Sequence, residues 1–461
     1  MATALRHRGP DAFGAFDDHE ATPSVALGHR RLSIIDLSEI ANQPLQNDAG
    51  TVWAALNGEI YNFRELRKEL EPKYHFRTQG DTETIIHGYS EWGEDVVTRL
   101  DGMFAFALWD RSNRRLLLAR DRFGKKPLYW YRDARRVFFA SEIKGLLAAG
   151  VPAEMNPAGL PEFLSLGYVP TPRTLFKGIE KFKAASCVVI DQRGVGPVRE
   201  FWEWKFPAAG HAAHVSRPEA RERVRHLLEN AVKSRLVSDV PLGVLLSGGV
   251  DSSAVAALAQ PHVNGRLKTF TVGFSTDPRY DERPYAAVVA KRLGTDHYES
   301  VVEPDAAGLL GVLVDHYDEP FADSSALPTY LVAREAKRHV TVVLNGDGGD
   351  EVFAGYHNFR AALLAERLGP TALRLGDMDF RKFQSDIIFF GERPYDMGQD
   401  PKVDRGYVGV FSYSSMDAVA GWIHKKNTGG NYFMGSGAVK YFRIEELPIT
   451  AGTNYWLASD G

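Results

Sequence analysis

The chain has almost no cysteine. Cys187 is the single one among its 461 residues, so an intrachain disulfide is excluded, and so is a zinc site built on thiolates. Long apolar runs are missing as well. None reaches the roughly 18 residues that a membrane span requires, and the opening MATALRHRGPDAFG lacks the apolar core of a secretory signal. Neither sign of charge dominates: the net charge is −4, without the clustered Lys and Arg that nucleic-acid binding needs. No G-x-x-x-x-G-K-[ST] occurs, so any nucleotide site here is not a Walker A loop. Internal repeats and low-complexity tracts are absent. With 44% apolar and 25% charged residues, the expectation is a globular, cytoplasmic protein of two or three domains.

The residues that are present fall into compositional regions. Over 1–205 the runs TVWAALNGEIYN and RRLLLARDRFGKKPLYWYR read as strands and hairpins, while DTETIIHGYSEWG and SEIKGLLAAG have helical spacing and glycine stops. This is an α+β pattern. Residues 206–220, small and without periodicity, read as a linker. Across 221–375 strands alternate with helices: RPEARERVRHLLENAVKSRL leads in, then VPLGVLL, SSAVAALAQ, LKTFTVGF, DERPYAAVVAKRLG, ALPTYLVAREAKRH and VTVVLNG. Such alternation predicts an α/β domain around a parallel sheet, with ligands held where strands run into helices. Residues 376–461 differ again. From Asp377 onward there are two leucines, Leu447 and Leu457, against 15 aromatic residues. DRGYVGVFSYSS and GGNYFMGSGAVKYFRIEEL read as strands and turns.

Two loops stand at predicted strand ends. In LLSGGVDSS the glycines let backbone N–H groups approach a phosphate at the positive end of the next helix, and Ser247, Ser252 and Ser253 add hydroxyls. Asp251 repels a bare phosphate, so its natural partner there is Mg²⁺ bridging phosphate oxygens. The ordinary reading is a helix N-cap, which uses the same residue types. The second loop, NGDGGDE, brings together Asp347, Asp350 and Glu351, which repel one another unless a cation or a proton intervenes. An acidic surface turn is its ordinary reading.

SGGVDSS resembles the pyrophosphate-binding loop of ATP pyrophosphatases, and LNGDGGDEVFAGY resembles the signature of the asparagine synthetase family. RHRGPD, HRRLSIID, NGEIYN, GDTE and LDGMFAFALWD occur in the order seen in glutamine-hydrolysing class II amidotransferase domains. The resemblance covers residues 4 to about 370. It implies a four-layer αββα sandwich of the N-terminal-nucleophile type, followed by a Rossmann-like PP-loop synthetase domain. It also implies adenylation of a carboxylate such as that of aspartate by MgATP, then displacement of AMP by ammonia. On the nucleotide side it implies Ser247, Gly248, Gly249, Asp251 and Ser252 around the pyrophosphate. Leu245, Val272, Asn345 and Gly346 would line ATP, Asp251 and Asp350 would hold Mg²⁺, and Asp347 would sit near the reacting carboxylate as a proton acceptor. On the glutamine side it implies Arg31 at the α-carboxylate and Glu59 and Asp81 at the α-ammonium. Asn57 and the Gly58 N–H would form the oxyanion hole. The implied partners are small molecules, with a homodimer as the expected assembly and neither nucleic acid nor membrane involved.

Three features depart from that pattern. The family nucleophile is a cysteine at the mature N-terminus, whereas this sequence enters RHRGPD within six residues and Cys187 reads as part of an interior strand. The expectation is a chain incomplete at both ends whose glutaminase half is impaired. Lys402, Lys425, Lys426 and Lys440 have no assignable place in the family's phosphate-binding set. YDEPFADSSALPTYL differs from the threonine- and arginine-bearing segment of better-known members and leaves the acceptor open. Two alternatives therefore stand beside the asparagine synthetase reading: an amidotransferase with a non-aspartate acceptor, and a non-catalytic incomplete chain.

Overall fold

A computed structural model of the protein describes residues 1–205, 215–274, 281–302, 306–356, 359 and 363, with the backbone of two further strands, Gly430–Gly435 and Ala438–Arg443. Contacts divide the chain into two compact units, Met1–Gly159 with Val169–Gly346, and Leu160–Tyr168 with Asp347–Gly461. Among the described residues no helix is long and apolar enough to cross a membrane.

The first unit begins with β1 (Ala12–Asp18), β2 (Val25–Arg31), β3 (Leu45–Gln46), β4 (Val52–Ile60), β5 (Gly102–Asp110) and β6 (Arg115–Arg120). It continues with β7 (Tyr129–Arg132), β8 (Val137–Ala140), β9 (Ile179–Lys181), β10 (Ser186–Asp191), β11 (Gly194–Val195) and β12 (Arg199–Glu200). The main sheet runs β11-β10-β6-β5-β4-β3, with β12 pairing β10, and all its pairings are antiparallel. Alternation along β5 sorts its side chains to two cores. Phe104, Phe106 and Leu108 meet Phe63, Leu66, Ile85 and Ile86 from the helices Phe63–Leu70 and Thr82–Trp92. Ala105, Ala107 and Trp109 face Val25, Leu27, Trp130 and Phe182. The β8-β7-β9 sheet packs its other side on Ile143 and Leu146 of the helix Ile143–Leu147. Helix, sheet, sheet and helix give the expected four-layer αββα order.

A further sheet in the same unit is parallel: β13 (Leu242–Leu245), β14 (Lys268–Phe274), β15 (Asp296–Val302) and β16 (Val342–Leu344), in the order β15-β14-β13-β16. Its leading helix, Arg217–Ser234, starts inside the stretch read as linker. Ser216 accepts from the Glu219 N–H at 3.4 Å, and a proline occupies the first turn, a start signal written as S-R-P-E. Sequence reasoning passed over β15 and the helix Ala306–Tyr317. In DHYESVV polar residues interrupt the run, as suits an edge strand.

The segment leading into β13 touches the first sheet directly. The Arg235 guanidinium lies 4.4 Å from the centre of the Tyr61 ring, and Val237 packs into the helix-side core. Charges cross the same boundary. Lys144 reaches Asp318 at 3.0 Å and Lys181 reaches Glu319 at 3.0 Å, while on the near side Glu142 pairs with Arg8 at 2.9 Å and with Lys144 at 3.0 Å. Glu319 also accepts the Leu175 N–H at 2.6 Å.

In the second unit a short helix, Gly349–Phe353, follows Gly348 at φ +95°. Gly430–Gly435 pairs antiparallel with Ala438–Arg443, within the stretch read as strands. DRGYVGVFSYSS, Lys402, Lys425 and Lys426 lie outside the described residues.

Phe270 of β14 is fully buried against Ala336, Val340 and Tyr298. Phe270→Ala is expected to cost about 3–5 kcal/mol, read as a lowered denaturant midpoint for the parallel-sheet body. A loss under about 1 kcal/mol would show that the site collapses around the gap.

Candidate functional site

A cavity of about 650 Å³ opens at the end of β4, lined by residues that include Arg31, Asn57, Gly58, Glu59, Asp81 and Lys126. The fold thus gathers every residue to which the resemblance gives a glutamine-binding role. Gly58 has φ +150°, and a Cβ there would fall 2.0 Å from the Met103 carbonyl oxygen, so only glycine fits. Asn57 contributes a buried Nδ2 with no hydrogen-bond partner among the described residues, a donor available to a ligand oxygen.

Two carboxylates share this cavity. Asp81 is buried and accepts the Ile60 N–H at 2.8 Å, yet burial still raises its pKa. Burial, then the neighbouring Asp81 charge, pushes Glu59 up to about 6, while Lys126 and Arg235 pull the other way. Beside them His29 donates from Nε2 to the Leu56 carbonyl at 3.0 Å, and burial lowers its pKa to about 4. It is therefore neutral, with an unpartnered Nδ1.

The cations differ in how they are engaged. Arg31 is buried and spends its Nη hydrogens on the loop that follows it: on the Ser38 carbonyl and Asn42 Oδ1 at 3.1 Å each, the Ile35 carbonyl at 3.1 Å, and the Asp36 carbonyl. A ligand carboxylate at Arg31 must compete with those oxygens. Lys126 has no side-chain hydrogen bond or ion pair among the described residues, and burial lowers its pKa. Its backbone is held at both ends. Buried Asp121 accepts the N–H groups of Phe104, Phe123, Lys125 and Lys126, and Arg120 donates to the Lys126 carbonyl at 2.7 Å. Neither Lys126 nor His29 was singled out from sequence, where GKKPLY and GHRR offer only a charge in a turn and a strand.

The second candidate site lies on the parallel sheet. From β13 the chain proceeds outward to β14 and β15, whereas β16 lies on the other side of β13. The order therefore reverses between β13 and β16, the switch point where open α/β sheets bind ligands beyond the strand ends. Ser247–Gly249 follows β13 and Asn345–Gly346 follows β16, so both loops flank that crevice. Gly248 has φ +81°, and a Cβ would strike Ala286 N and the Tyr285 backbone at 2.6 Å. Gly346 crosses the first helical turn so closely that a Cβ would lie 2.9 Å from Ser252 N and 3.0 Å from Asp251 Cβ.

The hydroxyls bond within the loop, and the N-cap of the following helix, Gly249, has no side-chain cap bond. Ser247 Oγ accepts the Gly249 N–H at 3.2 Å and lies 2.9 Å from Ser252 Oγ, which donates to the Gly249 carbonyl at 3.3 Å. Ser253 Oγ, by contrast, is buried without a partner. Asp251, in the first turn of the helix Val250–Ala259, has no ion pair or side-chain hydrogen bond among the described residues. Leu245 closes β13, and Val272 lies within β14. Asp347 and Asp350 belong to the second unit, Asp350 in the first turn of Gly349–Phe353. Among the described residues no three His, Cys, Asp or Glu side chains converge as a metal site.

Similarity to known proteins follows the same division. The Glutamine amidotransferase domain family matches residues 1–202, and the Asparagine synthase family matches residues 223–400. Over 377 residues the chain is 36% identical to a Methanocaldococcus jannaschii protein provisionally named asparagine synthetase (glutamine-hydrolyzing) 2, an overlap of 77% of this chain and 72% of that protein. The chain belongs to the glutamine-hydrolysing asparagine synthetase family. This family member is also 39% identical over 365 residues to asparagine synthetase (glutamine-hydrolyzing) 1 of Bacillus subtilis, an overlap of 79% of this chain and 56% of that relative. It thus spans little more than half that protein's length. A third relative is amidase chyE of Penicillium rubens, 35% identical over 376 residues, covering 78% of this chain and 55% of that one.

Glu59 generates a pH prediction for the synthetase-family chain. Its folded pKa of about 6 lies above the ordinary carboxylate value of 4.5, so the folded state holds the proton more tightly. That contribution is complete below about pH 4.5 and is lost as pH rises through about 6. Glu59→Gln should flatten this segment of the stability profile, measured as melting temperature from pH 4.5 to 7.5. An unchanged slope would place the titration elsewhere.

Proposed function

We propose that this chain is an ATP-dependent, AMP-forming amide ligase, with residues 221–375 as the adenylating half and residues 1–205 as the half that handles the nitrogen donor. The observation that supports it most is the pair of loops flanking the switch point of the parallel sheet. A carboxylate oxygen of the acceptor attacks the α-phosphorus of ATP, and the bond to pyrophosphate breaks. Ammonia then attacks the acyl carbon, loses a proton and expels AMP. Ser247, Gly248, Gly249 and Ser252 hold the pyrophosphate portion at the helix N-terminus, and Leu245, Val272, Asn345 and Gly346 border the nucleotide.

The glycine contacts at 248 and 346 suit a phosphate cradle, because each removes a Cβ from the path of the backbone. The unpaired Asp251 carboxylate suits a cation there, and Asp350 is its second ligand in this reading. Mg²⁺, when bound, supplies charge neutralisation as pyrophosphate departs. Two protein carboxylates are enough for an ion that keeps phosphate and water ligands. Asp347 takes the proton from incoming ammonia.

In the first half, Asn57 and the Gly58 N–H face the amide oxygen of glutamine, Glu59 and Asp81 its ammonium, and Arg31 its carboxylate. Hydrolysis also needs a nucleophile. Cys187 lies buried in β10, where burial raises its pKa, a setting opposite to that of a reactive thiolate. For the acceptor, aspartate is the first choice. The likeness to a protein named an amidase supports testing other carboxylates beside it.

Isothermal titration should show MgATP binding. Asp251→Asn should weaken it about tenfold, roughly 1.4 kcal/mol, and only when Mg²⁺ is present. No heat at millimolar ATP from a folded protein would overturn the nucleotide site. In the 461-residue chain, release of AMP and pyrophosphate with aspartate should require ammonium and be indifferent to glutamine. Glutamine-supported amide formation at the ammonium rate would show that a nucleophile has been misread.

A further inference from the structure

The loop after β2 is held from two directions. From the cavity side, Arg31 donates to the Ile35, Asp36 and Ser38 carbonyls. From the opposite side, Asp239 grips it on both flanks of Ile35: the Asp239 N–H donates to the Ile34 carbonyl at 2.9 Å, and Asp239 Oδ2 accepts the Asp36 N–H at 2.7 Å. Asp36 sits at φ +57°, a conformation a non-glycine residue keeps only when its surroundings enforce it. Its own carboxylate ties the loop to the Gln79 N–H at 2.6 Å and the Ser38 N–H at 3.0 Å. Ile34 and Ile35 themselves line the cavity.

Asp239 also stands at the entrance to the parallel sheet. Two residues on, the Pro241 carbonyl accepts the Thr341 and Val342 N–H groups at 3.0 and 3.3 Å, joining the starts of β13 and β16. β13 then runs straight into Ser247, with Val244 and Leu246 buried on the way. The carboxylate that fixes the cavity loop is therefore eight positions before the serine that opens the phosphate loop, and the connection is a packed strand.

Resting on the proposed reading of both sites, we infer that Asp239 is a positioning residue that couples occupancy of the cavity to the phosphate loop. An anion entering the cavity competes for the Arg31 guanidinium with neutral carbonyls, and a charged acceptor is the stronger partner. Re-pairing of Arg31 releases carbonyls of Ile35, Asp36 and Ser38, and the loop's remaining tether to the parallel sheet is Asp239. Its displacement reaches β13, and through it the Ser247–Gly249 turn. A merely structural rivet would hold the loop without passing on ligand occupancy.

The test is hydrogen exchange on the full chain with and without saturating L-glutamine, together with titration of MgATP in both conditions. In the unaltered protein, glutamine should speed exchange over 34–42, alter it over 246–250, and shift the MgATP affinity at least about fivefold. Asp239→Ala, which keeps only the backbone bond to the Ile34 carbonyl, should keep the response over 34–42 and lose most of the response over 246–250 and of the affinity shift. Asp239→Asn, which retains an oxygen for the Asp36 N–H, should behave as the unaltered protein does. If the alanine variant does not fold, Asp239→Glu, whose longer side chain displaces the grip, serves in its place. A full affinity shift in the alanine or glutamate variant overturns the inference, as does an unaltered protein that responds over 34–42 and not over 246–250. No response over 34–42 and no MgATP binding overturn the reading of the two sites, and the coupling with it.

Discussion

Strand β5 buries every side chain from Phe104 to Asp110, and this two-sided burial is what the first half of the molecule is built upon. Phe104, Phe106 and Leu108 point toward the helices, and Ala105, Ala107 and Trp109 toward the strands that carry Leu27 and Trp130, so both faces of the sheet are filled. Each large side chain so buried contributes about 1.5–3 kcal/mol, and the polar groups caught in the layer are paired. Trp109 Nε1 donates to Asp18 at 3.0 Å, and Asp110 receives the Tyr89 hydroxyl at 3.1 Å and the Asn113 N–H at 2.9 Å. A strand fixed on both faces gives β4, its neighbour, little freedom. Asn57, Gly58 and Glu59 therefore stand at one geometry.

Holding carboxylates next to cations in a closed space requires that each charge be placed by something other than its partner. Asp121 illustrates the device. Among the described residues it forms no ion pair but accepts four backbone N–H groups, and so delivers Lys126 to the cavity wall without neutralising it. Arg31 is handled in the opposite way, with its donors distributed over a loop. The cavity thus has one cation tied to the loop that forms its wall and another carried on a turn fixed by backbone bonds.

Much of this organisation was legible in the sequence. TVWAALNGEIYN and RRLLLARDRFGKKPLYWYR announce strands, DTETIIHGYSEWG a helix, and the alternation after residue 221 a parallel sheet. The two strand-end loops were placed correctly by the same pattern, because a parallel sheet fixes where strand-to-helix loops emerge. Other features were not legible. β15 carries a polar edge pattern without contrast between its faces. The engagement of Arg31 with carbonyls leaves no compositional trace, since backbone acceptors are present at every residue. Asp239, in VSDVPLG, looks like any turn aspartate, and its role depends on a loop about two hundred residues earlier in the chain.

The paired charges that cross from the first sheet to the segment at Asp318 and Glu319 also bear on how such a chain can be assembled over evolutionary time. Lys144 and Lys181 belong to the part that matches the amidotransferase family, and the carboxylates that answer them to the part that matches the synthase family, within one compact unit. All four side chains are at most one-fifth exposed. A half inherited from a relative with different residues there would bring buried charge without its counter-charge, a penalty of about 3–5 kcal/mol for a broken buried pair. That is a large part of the roughly 5–15 kcal/mol by which domains stay folded. A change of charge at any one of the four positions therefore calls for a matching change at its partner.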